Sequence, residues 1–341
     1  MNKRLVQQGL PVMLSIVLLW YVLKDVPLAE IGQQFRQANV GWLAISGLIT
    51  GLYQLARAAR WQLTLQALGH QPSLFRTTIA LLAGTMASML VPGAGELTRC
   101  GTLQRTDGVP LAQGIGSVVA ERVVDLVMLL VIIALTVMLE FRRVGQYLLD
   151  LLMPVTGRFT PAKPSNTLLI ILSISLLLLF IGLYRLFRSD AFWKNRLIIR
   201  VITIIREVKR GFLSIRQLKQ PGLFIFLTVV NFGLAFLITY SLFFASPQTT
   251  SLPPQAALTI LTVSSVGGIA VPTQGGIGTY HFLVSRALVL YGMTLTEGVV
   301  VATFLHAVQT GFSLLLSSLS FLIVPILIAN RRKKQATSLM K

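Results

Sequence analysis

Three ionisable residues stand close together at the start of a long apolar segment: Glu121, Arg122 and Asp125. Glu121 and Asp125 are four residues apart, so a helix would place both carboxylates on one face. Ionisable groups inside an apolar segment are costly to bury and usually have a function. Two kinds of chemistry suit this pair: a charged cavity that exchanges ion pairs with a substrate, or a site that holds a metal ion and a diphosphate. The structural alternative is neutralisation by other arginines: Arg57, Arg99 or Arg105.

A second basic pair, Arg57 and Arg60, follows an apolar segment that we predict to span a membrane from Val40 to about Ala56. A spacing of three places both arginines on one helix face. The planar guanidinium group matches phosphate, so one interpretation is a lipid-phosphate site. The favoured interpretation is that both side chains reach the membrane surface as anchors, with Trp61 at the interface.

Two motifs that contain proline and glycine, at residues 91–99 and 271–279, interrupt apolar segments at corresponding places. A helix that begins after such a break leaves its first N–H groups free and its positive dipole end exposed, which suits a phosphodiester. We expect these helix starts after Gly95 and Gly276, where glycine would let a headgroup approach the backbone. The alternative is that the motifs only kink packed helices. The candidate binding residues here are Pro92, Gly95, Glu96, Arg99, Pro272, Gly275, Gly276, Gly278 and His281.

Glu96 stands in the first turn after the first break and opposes anion binding there. It would instead bind a cationic headgroup or pair with Arg99. We predict that five charged residues point into the protein, because exposure to lipid would cost about 2.5–3.5 kcal/mol for each. These residues are Glu96, Arg99, Glu121, Arg122 and Asp125.

The chain has 341 residues, of which 54% are hydrophobic and 12% charged, with a formal net charge of +19. Soluble proteins average about 25% charged residues, so this composition indicates a membrane protein. The basic residues lie beside apolar segments, and we attribute them to the positive-inside rule and to anionic lipids, with no nucleic acid as a partner. The single cysteine, Cys100, argues against a disulfide framework. We predict no metal site and no cofactor.

The apolar segments predict one integral membrane domain, residues 1–341, of the all-α polytopic class with six to eight transmembrane helices. Two elements are predicted to be re-entrant helical hairpins, at about 75–106 and about 254–291. Their opposite directions of insertion would form an inverted repeat. An amphipathic basic helix at about 196–219 is expected to lie on the cytoplasmic leaflet.

The distribution of basic residues predicts the orientation. Segments 185–219 and 331–334, together with Lys3 and Arg4, are expected on the cytoplasmic side, which places both termini there. We expect the protein in a bacterial plasma or inner membrane. A loop predicted from Glu140 to Thr167 would be external although it is also basic. If the hairpins cross the membrane fully, there are eight spans or more and the side of this loop stays open.

Two groups of motif residues carry a family resemblance. Residues 91–99 together with Ala120, Glu121, Arg122 and Asp125 resemble the transmembrane region of lysylphosphatidylglycerol synthases, and residues 271–278 resemble the second motif of that family. The resemblance implies a lipid-flipping domain. The synthases continue into a soluble aminoacyltransferase domain, whereas this chain stops at Lys341, so aminoacyl transfer is not expected. Many relatives carry an acidic residue where this chain has Tyr280 and His281, which argues against a cationic-headgroup site there.

The resulting prediction is a flippase or transporter that moves a phospholipid headgroup between leaflets. The alternative is a membrane-embedded lipid-modifying enzyme, or an accessory to a polyprenyl-phosphate glycosyltransferase. No catalytic motif is present, so we predict that the protein is not an enzyme. His281 and His306 suit either general bases or hydrogen-bonded structural roles. Expected partners are membrane lipids, above all an anionic phospholipid, a second copy of the chain in a homodimer, and a separate lipid-modifying enzyme.

Overall fold

The computed structural model describes residues 28–156 and 218–339, together with residue 13, residue 17 and residues 19–24. This part of the chain is helical and contains no strand. The first half comprises α1 (Leu28–Arg36), α2 (Val40–Ala67), α3 (Leu74–Leu90), α4 (Ala94–Asp107) and α5 (Leu111–Thr156). The second half comprises α6 (Pro221–Phe243), α7 (Pro254–Ala270), α8 (Thr279–Val289) and α9 (Leu295–Leu339), with a short 3-10 helix at Gln274–Gly276 before α8.

Three of the described helices contain segments long and apolar enough to cross a membrane: Leu111–Phe141, Pro221–Phe243 and Leu295–Lys333. Leucine, isoleucine and phenylalanine side chains remain exposed along them, as in Leu130, Phe226 and Phe321. A surface of this kind is unfavourable in water and favourable in hydrocarbon. The predicted all-α polytopic membrane fold is therefore confirmed, whereas the number of spans stays a prediction.

The first hairpin consists of α3 and α4, joined at the break of residues 91–93. Pro92 lacks the N–H that a continuing helix would need. Gly93 caps α4 with a φ of 80°, a left-handed conformation that favours glycine. α3 has 17 residues, or about 26 Å of helix, slightly less than the hydrocarbon thickness of a bilayer.

The second hairpin consists of α7 and α8 and has the same form. α7 also has 17 residues and ends at a valine followed by proline, here Val271 and Pro272. The chain then forms the 3-10 turn, and Gly278 caps α8 with a φ of 84°. The observed helix starts follow Gly93 and Gly278 rather than Gly95 and Gly276. Gly95 lies inside α4, and Gly276 lies in the 3-10 turn that precedes α8.

The arms of the first hairpin approach closely at a pair of glycines. A β-carbon on Gly84 would lie 2.6 Å from the carbonyl oxygen of Gly95 and 3.0 Å from Cβ of Arg99. A β-carbon on Gly95 would likewise lie 2.5 Å from the carbonyl oxygen of Gly84 and overlap Ser88. Gly95 is therefore used for backbone packing between helices. This differs from the expected role of Gly95, the approach of a headgroup to the backbone.

We expect Gly84→Ala to lower the free energy of unfolding by about 1–3 kcal/mol, because the new methyl group would push α3 and α4 apart. Gly101→Ala on α4 is the matched control, since nothing lies within 4 Å of a β-carbon there. The control should be neutral or stabilise by up to about 1 kcal/mol. Thermal melting in detergent measures the stability of both variants. Equal melting temperatures for the two variants would contradict the tight contact.

The breaks of the two hairpins touch one another. The side-chain amide of Gln274 donates a hydrogen bond of 2.8 Å to the carbonyl oxygen of Leu90. α3 also packs along α9, and α2 packs along α6, so each half of the chain contacts the other at several places. The contact between the breaks agrees with the expectation that the two hairpins meet at their tips.

Trp61 is completely buried, and its indole N–H donates to Oγ of Ser117 at 2.9 Å. Leu65, Leu81 and Leu103 are buried in the same cluster. The prediction of Trp61 as an interfacial anchor was therefore wrong. The reason is that α2 continues to Ala67 instead of ending near Ala56, so its last three turns pack inside the protein.

Two further sequence predictions concern the segment between the halves. The loop expected from Glu140 to Thr167 was wrong in its first part, since α5 continues as a helix to Thr156. The amphipathic basic helix expected at about 196–219 lies outside the described residues, apart from Leu218 and Lys219 in a bend that precedes α6. That helix stays a prediction.

Candidate functional site

Six charged side chains from three helices form a closed ring in which acids and arginines alternate. α2 supplies one arginine, α4 supplies one acid and one arginine, and α5 supplies two acids and one arginine. Each member contacts an opposite charge on both sides, so the ring as a whole is neutral. In order around this charge ring, the residues are Arg60, Glu121, Arg99, Glu96, Arg122 and Asp125.

The buried part of the charge ring is centred on Glu121, which is 3% exposed. Its carboxylate oxygens lie 3.4 Å from Nε of Arg60 and 3.2 Å from Nη2 of Arg99. Arg60 also reaches Asp125 at 2.6 Å, and Arg99 reaches Glu96 at 2.6 Å. Charges this deeply buried are tolerated only when they are paired. The partners of the two acids on α5 thus include Arg60, which the sequence analysis did not consider, and exclude Arg57 and Arg105.

Arg122 completes the charge ring on its exposed side. Its guanidinium contacts Glu96 directly and lies 3.6 Å from Asp125. The Arg122 side chain is 53% exposed, whereas those of Arg60 and Arg99 are each 5% exposed. Of the five residues predicted to point into the protein, Arg99 and Glu121 are buried, whereas Glu96, Asp125 and Arg122 are partly exposed beside them. One edge of the ring faces open space.

Aromatic rings support both buried arginines. The guanidinium carbon of Arg99 lies 4.6 Å from the Trp61 ring centroid, and that of Arg60 lies 5.9 Å from the Phe224 ring. Such cation–π contacts hold an arginine in place while its hydrogen-bond donors stay directed at the acids. Arg60 is thus part of the interior. The favoured interpretation of Arg60 as a surface anchor was wrong.

Arg57 lies one helical turn from Arg60 but outside the charge ring. Its guanidinium donates to Oε1 of Gln54 at 3.3 Å and lies 5.4 Å from the Tyr53 ring. Within the described residues, no carboxylate comes within ion-pair distance of Arg57. Because the ring is neutral, Arg57 gives the site one positive charge in excess.

A cavity of about 460 Å³ lies beside the open edge of the charge ring, and we call it the ring cavity. Its polar wall comes from the first half of the chain and its apolar wall largely from the second half. α2, α5, α6 and α7 all contribute. The lining residues include Arg57, Arg60, Arg122, Asp125, Asn231, Phe232, Leu261 and Ser265. A cavity with charged groups on one side and apolar groups on the other suits an amphiphilic ligand.

A second cavity of about 320 Å³ lies at the break of the second hairpin, and we call it the tip cavity. Gly275, Gly276, Tyr280 and His306 line it, together with Gln309. α7 separates it from the ring cavity: Ser265 faces the ring cavity, whereas Ser264 and Gly268 face the tip cavity. The two cavities therefore share a wall that is one helix thick.

The histidines of the second half hold the backbone of the break. Nε2 of His306 lies 2.9 Å from the carbonyl oxygen of Gly275, and Nδ1 of His281 accepts from the N–H of Gly278 at 3.3 Å. His281 is 4% exposed and does not line the ring cavity or the tip cavity. These contacts favour the structural role for both histidines. They argue against His281 as a direct substrate ligand.

The structure brings the predicted residues into two places. Arg57, Arg60, Arg122 and Asp125 meet at the ring cavity, with Glu96, Arg99 and Glu121 behind them. The residues of the second motif meet at the tip cavity or at its turn: Pro272, Gly275, Gly276, Gly278 and His281. Pro92 lies in the first break, which touches the second through Gln274. Among the described residues, no group of three or more His, Cys, Asp or Glu side chains is arranged to hold a metal ion.

Sequence reasoning missed Asn231 as a site residue. Asn231 is a lone polar residue within an apolar segment, and its spacing to other polar residues shows no pattern. An asparagine in such a segment is itself a signal, because a polar group in a span is retained at a cost. Tyr53 and Ser265 of the ring cavity were missed for a simpler reason. Ser265 lies in an ordinary run of small residues, and Tyr53 fits an ordinary interfacial pattern.

One comparison with known proteins gave a match. The family model described as the lysylphosphatidylglycerol synthase TM region matches residues 9–317. The matched region includes both breaks, the charge ring and both cavities. No curated protein and no protein of solved structure matches the chain.

Proposed function

Because the chain belongs to the family of the lysylphosphatidylglycerol synthase transmembrane region, we propose that it moves a phospholipid headgroup between the two leaflets of a membrane. The observation that carries this proposal is the ring cavity, which has arginines and an aspartate on one wall and apolar residues on the other. A headgroup would occupy the charged side. The acyl chains would stay in the bilayer, since dragging them through water costs about 0.8 kcal/mol per CH₂.

The charges favour an anionic headgroup. The charge ring is internally neutral, and Arg57 adds one unpaired positive charge at the cavity wall. A guanidinium offers several N–H donors in a geometry that matches phosphate oxygens. We therefore assign the phosphate of the lipid to Arg57. The open edge of the ring at Arg122 would provide a second contact when Asp125 or Glu96 releases it.

In this proposal the two hairpins are re-entrant, enter from opposite sides and form an inverted repeat. Their short outer helices, of 17 residues each, and their touching breaks support this arrangement. Movement of the two halves about the tips would open the site to each leaflet in turn. The membrane would be a bacterial plasma or inner membrane, with both termini on the cytoplasmic side.

The proposed activity involves no covalent change of the lipid. Reconstitution of the full chain in liposomes that contain labelled anionic or zwitterionic lipids tests this directly. Leaflet exchange is followed by quenching of the label from outside, and chemical change by chromatography of the extracted lipid. Exchange without a new lipid species supports the proposal. A new lipid species would favour the enzyme alternative. If neither exchange nor a new lipid species is observed, a scaffold role remains.

We expect Arg57→Gln to slow the exchange of a labelled anionic lipid by about tenfold, which corresponds to about 1.4 kcal/mol of lost transition-state stabilisation. Zwitterionic lipid should be affected less, because its headgroup carries no net charge for Arg57 to offset. Arg105→Gln is the matched control, since Arg105 is exposed and does not line the ring cavity. Arg99 is unsuitable for this test because its loss would also break the charge ring.

Unchanged exchange of the anionic lipid in Arg57→Gln, or equal effects of the two arginine variants, would remove Arg57 from headgroup binding. Equal slowing of both lipids would keep the phosphate contact and remove the preference for an anionic headgroup.

A further inference from the structure

Asn231 on α6 carries a buried polar group that has no hydrogen-bond partner among the described residues. The side chain is 4% exposed. In the described part of the chain, neither Nδ2 nor Oδ1 of Asn231 has a hydrogen-bond partner. A buried amide atom without a partner typically costs about 1–3 kcal/mol. Polar residues that remain in such positions call for an explanation outside the packing of the helices.

The position of Asn231 supplies that explanation. It lines the ring cavity together with Arg57, Arg122 and Asp125. Its neighbour Thr228, one turn earlier on the same helix, shows the usual structural solution: its hydroxyl donates to the carbonyl oxygen of Phe224 at 2.8 Å. Asn231 has no such local bond. Its amide atoms therefore have no partner among the described residues, and the residue borders the cavity.

The two ends of the amide define the chemistry of that molecule. Nδ2 donates and Oδ1 accepts, so a single ligand group that satisfies both atoms has to accept and donate. Phosphate oxygens in a diester can only accept, and an ammonium group can only donate. A hydroxyl group does both.

We propose that Asn231 is a specificity-determining residue that binds a hydroxyl of the ligand while Arg57 binds its phosphate. The ligand class is an anionic phosphodiester whose head carries at least one free hydroxyl. This inference rests on the proposed function for the lipid as the source of the phosphodiester. The hydroxyl contact itself depends on the ring cavity and on Asn231.

Equilibrium binding to the full chain in detergent tests the contact separately from transport. Two short-chain lipids of equal charge are compared: dioctanoyl phosphatidylglycerol, which has hydroxyls on its head, and dioctanoyl phosphatidylmethanol, which has none. The parent protein should bind the first about tenfold more tightly, as expected for a hydrogen bond of about 1.4 kcal/mol to a buried group. Asn231→Leu should weaken the first lipid alone, so that the ratio falls to about one. Thr228→Val is the matched control and should keep the tenfold ratio.

Thermal melting distinguishes a binding role from a structural one. Because Asn231 makes no bond within the described protein, Asn231→Leu should melt at the same temperature as the parent or higher. Asn231→Ala repeats the binding comparison with a smaller side chain, in case leucine does not fit. A ratio near one in the parent would overturn the proposal. Equal weakening of both lipids by both Asn231 variants, or a melting temperature that falls in both, would also overturn it.

A further binding experiment with soluble glycerophosphoglycerol tests whether the ligand is a lipid headgroup or a free phosphodiester. Weaker binding than the lipid supports a lipid headgroup. Binding as tight as the lipid, with the same loss in Asn231→Leu, supports the hydroxyl contact and assigns it to a free phosphodiester. If liposomes show no exchange while the tenfold binding ratio persists, the transport proposal fails and the role of Asn231 stands.

Discussion

Replacing Glu121 with glutamine is expected to lower the free energy of unfolding by about 3–5 kcal/mol, the usual cost of breaking a buried ion pair from one side. Glu121 is 3% exposed and contacts both Arg60 and Arg99. Without its charge, the ring holds three arginines against two acids. The excess positive charge would lie in the interior, where water cannot solvate it.

A double-mutant cycle tests whether the ring acts as a unit. Arg99→Gln combined with Glu121→Gln leaves a neutral chain of four charges, so the double variant should lose less stability than the sum of the two single variants. Unfolding in mixed micelles of increasing dodecyl sulfate content measures all of them. The control is Asp107→Asn, which breaks the partly exposed pair with Arg76 and should cost less than about 1 kcal/mol. Additive losses in the cycle would show that the ring members are independent.

Joining the two hairpin tips should stop lipid exchange, with a reduction of at least about tenfold in rate. The tips touch through Gln274 and the carbonyl oxygen of Leu90, so cysteines at these two positions lie within reach of a short bifunctional maleimide. If the halves must separate at the tips to change the accessible leaflet, a covalent link removes that movement. The native Cys100 is 1% exposed and should not compete for the reagent.

A maleimide linker with an internal disulfide provides the control within one sample. Exchange should fall when the double-cysteine variant L90C/Q274C is linked and return after reduction. Each single-cysteine variant treated with the same reagent should keep its rate. Undiminished exchange in a sample that is fully linked, as judged by proteolysis and gel mobility, would exclude separation of the tips from the transport cycle.

Both breaks could be predicted from sequence because proline and glycine act locally. Pro92 removes a backbone donor, and the glycines at 93 and 278 adopt the left-handed conformation that few other residues tolerate. The burial of Arg99 and Glu121 followed from the cost of charge in an apolar segment. Hairpins predicted at about 75–106 and about 254–291 correspond to helices that span residues 74–107 and 254–289.

The choice of ion-pair partners could not be predicted, since it depends on how the side chains of α2, α4 and α5 come together. Arg57 and Arg60 are both possible partners by sequence, and one turn of helix decides which enters the ring. The role of Gly95 depended on the close approach of Gly84 from another helix. The role proposed for Asn231 depends on the position of α6, which places this residue beside residues of the first half. These features follow from tertiary packing and have no local sequence signature.

The closed charge ring also constrains the order in which the chain can enter a membrane. Arg60 lies on α2, which is not among the helices apolar enough to cross a membrane by themselves, and its acidic partners lie on α5. Among the described residues, the acids that contact Arg60 are both made after α2, so α2 is synthesised before these partners. We expect it to wait at the translocon or at the membrane surface until α5 emerges. The strongly apolar α5 can then bring α2 into the bilayer as a neutral pair, so biogenesis of the first half depends on its last helix.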